Sequence, residues 1–260
     1  MDIGGVITRS FERLGMRGAP ALLNQLSRFN KGRVDTATLP SGETISFPAC
    51  DPYWCRYLYA GVPYEPDVEA ILKRYAPGRV LIDCGANIGY WSVRARGLGF
   101  RNAIAIEANA GHIALLRRNY AGRVIHAAVH ARSGEMLAFD GDGATGAVGP
   151  DGRPVPSLAL ADLDIIGPCL VKLDIEGVEI PAIEGAAGLD AIFVYEDWPR
   201  SGMPVTHWLL ERGYCIRGFD ESRIETLQEA FDFNRRTNSR YGPSNLVALA
   251  RQPASICEAQ

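Results

Sequence analysis

The sequence predicts an α/β protein built on a mostly parallel sheet, and three observations carry that reading. From residue 79 onward, short apolar strand-like runs alternate with helix-length amphipathic runs, the order that yields a parallel sheet covered on both faces. The junction VLIDCGANIGYWSV (80–93) passes from an apolar tract through an acid and a glycine turn into a helix, which marks the ligand edge of such a sheet. With 260 residues, 47% of them hydrophobic, the chain can bury one large core.

The elements follow in order. Residues 1–63 form an N-terminal extension, with a helix over APALLNQLSRF, a hairpin over VDTATLPSGETISFP around Pro40-Ser41-Gly42, and an aromatic cover segment in FPACDPYWCRYLYAGVPYEP. The main domain spans 64–260. It opens with a helix in DVEAILKRYA that Pro77-Gly78 stops. Strands are expected at 79–84, 103–107, 123–129, 169–174, 191–196, 214–219 and 245–250, with helices at 88–97, 110–120, 178–188 and 203–212. FDGDGATGAVGPDGRPVPS (139–157) is too rich in Gly and Pro for regular structure and reads as a functional loop; 220–244 reads as a second irregular insertion.

Composition narrows the function classes. A formal net charge of −3 gives no overall basic field for nucleic acid or an anionic membrane surface. Six cysteines without a C-x-x-C pair fit reduced thiols in a cytoplasm, and Cys50 and Cys55 lack the second Cys/His pair that zinc would want. The first residues show no secretory pattern, and no tract reaches the roughly 20 apolar residues of a membrane span. A homo-oligomer is compatible with the sequence.

At the first strand's end stand Asp83, then Gly85, Ala86, Asn87 and Gly89 in a G-A-N-I-G turn. A dinucleotide pyrophosphate wants G-x-G-x-x-G and free helix-terminal amides, and a fixed carboxylate beside it is unfavourable. The acid suits S-adenosylmethionine, whose ammonium and sulfonium are cationic and which carries no phosphate. Glu107 closes the next strand, where a carboxylate can accept both ribose hydroxyls, with Asn109 just after it. Glu65 could reach the methionine end. An NAD-dependent oxidoreductase and a non-catalytic binding protein are the rival classes; a P-loop lacks its G-K-[ST].

At the fourth strand's end, Lys172, Asp174 and Glu176 fall on every second position, so in extended geometry their side chains share one face. Buried charges of this kind need pairing or use. Together VLIDCGANIGYWSV, AIAIEANAGHIALLRRN and CLVKLDIEGVEIPAIEGA resemble the FkbM family of S-adenosylmethionine-dependent methyltransferases over roughly 64–250. The resemblance implies a Rossmann-like, class I methyltransferase fold with a seven-stranded sheet whose last strand is antiparallel, and O-methylation of small natural products or sugars. One departure is Glu107-Ala108, where the family usually shows Glu-Pro.

Methyl transfer to oxygen needs a base for the hydroxyl proton; Asp174 or Glu176 could serve, with Lys172 orienting the carboxylate or the acceptor. Glu196 and Asp197 end the fifth strand, where acceptor contacts or a helix cap are expected ahead of Mg²⁺, so no metal ligand is assigned. His112 and His207 are minor base candidates. The aromatics before Glu65 suit either an acceptor lid or a hydrophobic cover.

Overall fold

The computed structural model describes residues 3–13, 18–141, 146–149, 152–237 and 244–249. Helices α1 (Ile3–Arg13) and α2 (Ala19–Phe29) lead into the hairpin of β1 (Val34–Thr38) and β2 (Thr44–Pro48), then α3 (Pro52–Leu58) and α4 (Pro66–Tyr75). The alternating part begins with β3 (Val80–Cys84), α5 (Tyr90–Leu98), β4 (Asn102–Glu107), α6 (Ala110–Asn119) and β5 (Arg123–His126). Four short strands follow: β6 (Ala128–Val129), β7 (Met136–Asp140), β8 (Ala147–Val148) and β9 (Arg153–Leu158). The chain then forms β10 (Cys169–Leu173), α7 (Glu179–Glu184), β11 (Ala191–Asp197), α8 (Pro204–Glu211), β12 (Cys215–Gly218), β13 (Arg223–Ile224), α9 (Leu227–Thr237) and β14 (Ser244–Leu249).

The central sheet has the order β13-β12-β14-β11-β10-β3-β4-β5. Strands β11, β10, β3, β4 and β5 pair in parallel, whereas β14 runs antiparallel to both β11 and β12. All seven expected strands contribute to this sheet, and the two-residue β13 adds an eighth at the edge. Continuous apolar runs explain the central strands, because both faces are covered. Leu170, Val171 and Leu173 of β10 are at most 1% exposed, each contributing about 1.5–3 kcal/mol by burial.

Successive residues of each strand point to opposite faces and so feed two cores. Ile82, Cys84, Val171 and Phe193 join a core under α7, α8 and α9. Leu81, Leu170, Ile192, Val194 and Val247 pack on the other face with Leu23, Ile45, Phe47 and Trp54. The N-terminal elements therefore share a core with the sheet, and the aromatic segment around α3 lies on the face to which Asp83 and Lys172 also belong.

Two expectations for the loops are corrected. The span 139–157 is not a structureless loop: outside residues 142–145 and 150–151, which lie beyond the described residues, it carries part of β7 and all of β8 and most of β9. These strands form a small sheet ordered β6-β9-β7-β8, and residues 128–129 leave the main sheet to join it. Pro154 and Pro156 obscured the strand, but they sit on alternate exposed positions while Val155 and Ser157 turn inward. Residues 220–237 are likewise ordered into β13 and α9, with 238–243 beyond the described residues. A capping box starts α9: Thr226 Oγ1 accepts from the Glu229 amide at 3.2 Å, and Glu229 Oε2 accepts from the Thr226 amide at 3.1 Å.

Candidate active site

The site is built first from main chain. After β3 the Gly85 and Ala86 amides both donate to the Ile106 carbonyl, at 2.9 and 3.0 Å, which clamps the turn to the end of β4. Gly85 adopts φ +76°, and a Cβ there would lie 1.9 Å from the Asp174 carbonyl oxygen. No other residue fits between the turn and the end of β10. The same turn points the Asn87 amide at Glu107 Oε2, 2.7 Å away, while the Asn109 amide donates to Glu107 Oε1 at 2.6 Å. Asn109 also caps α6 by accepting from the Gly111 amide at 2.9 Å.

Glu107 is thus buried with one backbone donor on each oxygen, and each oxygen keeps a further lone pair. Burial raises its pKa, against the two amide hydrogen bonds. It lines a cleft of about 860 Å³, open mouth included, together with Gly85, Ala86, Asn87 and Asn109. The size suits a small-molecule site. Asn87 Oδ1 is buried on this wall without a hydrogen-bond partner among the described residues.

Three residues expected at the cofactor lie behind that wall. Asp83 is 1% exposed, does not line the cleft, and accepts from the Ser92 hydroxyl at 2.6 Å; its other oxygen has no partner among the described residues. Its burial follows from the strand alternation that points it into the N-terminal core. Gly89 starts α5 and packs under Leu116, whose Cδ1 a Cβ would meet at 2.7 Å. Glu65, at the start of α4, accepts from Trp91 Nε1 at 3.1 Å and lines a second, smaller cavity of about 240 Å³, open mouth included.

Lys172 links the two halves. It stands beside Asp83 in the β10–β3 register and donates to Asp174 Oδ2 at 3.0 Å. Burial alone would depress the ammonium, but Asp174, Glu65 and Asp83 outweigh it and hold its pKa above the ordinary value. Lys172 and Asp174 line both cavities. Glu176 is not on an extended strand, since β10 ends at Leu173; it occupies a turn at φ +48° on the cleft's rim. Partial burial and the neighbouring Asp174 raise its pKa.

At the end of β11 the two acids part. Asp197 caps α8, accepting from the Thr206 amide at 2.7 Å and the Trp198 amide at 3.0 Å. Glu196 lines the smaller cavity, where burial and then Asp174, Glu176 and Glu65 push it up to about 8 against the pull of Lys172. Among the described residues, no group of three or more His, Cys, Asp or Glu side chains is arranged to hold a metal ion.

His112 lines the cleft, its Nδ1 3.9 Å from Glu107 Oε1, whereas His207 is an exposed helical residue near Glu211. Cys50 and Cys55 are buried, and burial lifts Cys55 to about 12, so it is an inert thiol.

The cleft's apolar wall draws in part on the aromatic segment before Glu65, which suits either an acceptor lid or a hydrophobic cover, and in part on residues the sequence did not single out. Tyr53, Trp54 and Tyr64 come from the N-terminal segment, Tyr90 and Trp91 from α5, and Phe139 and Val148 from the small sheet. The Tyr64 and Tyr90 rings are 4.5 Å apart, and Trp54 stacks on Tyr90 at 6.3 Å. YW directly after the glycine turn was the available signal. Phe139 and Val148 fall in the 139–157 stretch read as a functional loop, but the strands that carry them were hidden.

No protein-family model and no curated protein matches the chain. Among solved structures it is similar to the methyltransferase FkbM from Methylobacillus flagellatus KT, at 20% identity and a TM-score of 0.45 over 67% of this chain. The chain spans 44% of the length of that protein. It is similar also to a TehB-like SAM-dependent methyltransferase from Corynebacterium glutamicum, at 14% identity over 76% of this chain and 95% of that one, TM-score 0.43. A third is P. horikoshii TYW2 in complex with MeSAdo, at 16% identity over 83% and 69% of the two chains, TM-score 0.41. Likeness at this level leaves the functional reading to the site's own geometry.

Proposed function

We propose that the chain is an S-adenosylmethionine-dependent O-methyltransferase of the FkbM type, acting on a hydroxyl of a small natural product or saccharide. Glu107 carries the reading. A buried carboxylate whose two oxygens are each fixed by one backbone amide, and which faces a cleft, is a receptor for a pair of hydroxyl donors such as a ribose diol. The rest of the donor set fits the same cofactor. Asn87 Oδ1 has no protein partner among the described residues, Gly85 lets the turn pack directly on the end of β10, and the adjoining edge carries Glu65, Asp83, Asp174, Glu176 and Glu196 beside Lys172. An excess of carboxylates favours a cationic ligand and disfavours the pyrophosphate of NAD.

Bound there, the cofactor supplies an electrophilic methyl group on a cationic sulfur. The chain's own residues do the remaining work. Glu107, Asn87 and Asn109 fix the nucleoside end, and Tyr90 and Trp91 exclude water. Asp174, held by Lys172, and Glu176 at the rim position the acceptor hydroxyl. A small-molecule acceptor in the cytoplasm accords with a net charge of −3 better than a nucleic acid or membrane surface does.

Calorimetry tests the reading. Glu107→Ala should weaken S-adenosylmethionine binding by about 1.5–3 kcal/mol, the value of hydrogen bonds to a charged group. Unchanged affinity in that variant, or tight binding of NAD in its place, overturns it. A gain of one methyl mass on an incubated acceptor supplies the direct evidence for transfer.

A further inference from the structure

The carboxylates at the sheet's ligand edge differ in one respect that decides their roles. Glu107 holds two backbone amides, Asp197 caps α8, Asp83 holds Ser92, Glu65 holds Trp91, Glu179 accepts from the Gly177 amide, and Asp174 is paired with Lys172. Only Glu176 and Glu196 have no such donor among the described residues. Glu176 is exposed on a turn, whereas Glu196 lines the smaller cavity, whose walls Lys172 and Asp174 share with the main cleft.

We propose that the smaller cavity takes the acceptor's reacting hydroxyl and that Glu196 receives its proton. This rests on the methyltransferase reading. The acceptor O–H bond breaks and its proton passes to a Glu196 oxygen. The freed electron pair forms the bond from oxygen to the methyl carbon, and the carbon–sulfur pair returns to sulfur, leaving a neutral thioether. Asp174 is a poorer acceptor because the Lys172 ammonium already occupies it; with Asn245 it positions the hydroxyl.

The charges facing Glu196 make the base conditional. Glu65 at the start of α4, Asp174 on the strand end and Glu176 on the turn all oppose its ionisation, and Lys172 favours it. In the cofactor-free protein its pKa near 8 keeps it mostly protonated at neutral pH. A cationic ligand entering the cleft tips the balance and discharges the proton, so the base forms only when a methyl donor is present.

Proton release separates this from a structural role. At pH 7, S-adenosylmethionine binding measured in buffers of different ionisation enthalpy should release a fraction of a proton from the wild type, less with the uncharged-sulfur product, and none attributable to Glu196 from Glu196→Gln. That variant should bind the cofactor within about threefold of wild type and lose about 10²–10⁴ in turnover, with Glu196→Asp recovering part. Difference carbon-13 spectra of cofactor-free wild type and Glu196→Gln should show a carboxyl titrating near 8. Cofactor binding with no such titration, or with near-normal turnover in Glu196→Gln, overturns the Glu196 assignment alone. An intact titration without cofactor binding removes the methyltransferase reading and the transfer role with it.

Discussion

The edge formed by β3 and β4 and the edge formed by β10 and β11 both present carboxylates to a cavity, but they stabilise them by opposite means. At the first edge Glu107 is held by main-chain amides, which carry no net charge and do not titrate. At the second, Glu65, Asp174 and Glu196 depend on the single ammonium of Lys172, with Asp83 drawing on it from the next strand. Backbone satisfaction gives a fixed receptor, suited to a ligand that must always sit the same way. Shared charge gives a responsive one, in which any ligand cation redistributes protons.

The comparison breaks most visibly at Lys172. Replacing it with Met keeps the stem's volume but leaves buried Asp83 and the part-exposed Glu65, Asp174 and Glu196 without their counter-charge; because the Asp174 side chain is 39% exposed, the expected loss is about 2 kcal/mol, below that of a fully buried pair. Urea unfolding at pH 7 should show that loss, and lowering the pH to 5 should recover part of it as the acids protonate. A loss under 1 kcal/mol at pH 7, flat with pH, would mean that the second edge does not lean on Lys172.

At the first edge the vulnerable element is the turn. Gly85→Ala sets a Cβ against the Asp174 carbonyl, 1.9 Å away, at a φ of +76°. The expected cost is about 2–3 kcal/mol from left-handed strain and overpacking. Unlike the Lys172 variant it should be insensitive to pH, since no titrating group is altered. A melting temperature within a degree of wild type would show that the two edges are not packed together as described.

This contrast also explains what the sequence could reveal. Glu107 and the G-A-N-I-G turn were legible because both stand at the ends of strands that apolar runs reveal, and the amides that hold Glu107 come from that turn and from the residue two beyond Glu107. The β3, β10 and β11 strands were legible from their apolar runs. The partnership of Glu65, Lys172 and Glu196 was not, since it joins positions far apart in the chain and only the sheet order brings them together. Asp83 read as a ligand contact because its strand-end position is visible in sequence, while the face it turns to is set by tertiary packing. The small sheet was masked by Pro154 and Pro156, whose outward alternation can be recognised only once β7 is alongside.

The finest test of the comparison is the slope of stability against pH. Glu196 has an ordinary value of 4.5 in the unfolded chain and about 8 in the folded protein, so folding favours its protonated form. Below 4.5 both states hold the proton and the contribution is complete; between 4.5 and 8 the unfolded chain has released it while the folded state retains it, so stability falls as pH rises. The limit is about 1.4 kcal/mol per pH unit, and partial solvent access reduces it to about 1. Glutamine cannot titrate. From pH 5.5 to 7.5, Glu196→Gln should therefore gain about 2 kcal/mol on the wild type, measured by paired urea titrations of the cofactor-free proteins. Glu107→Gln should show much less gain, because its amide hydrogen bonds oppose the effect of burial. Equal gains in the two variants would erase the distinction between a carboxylate held by backbone and one held by shared charge.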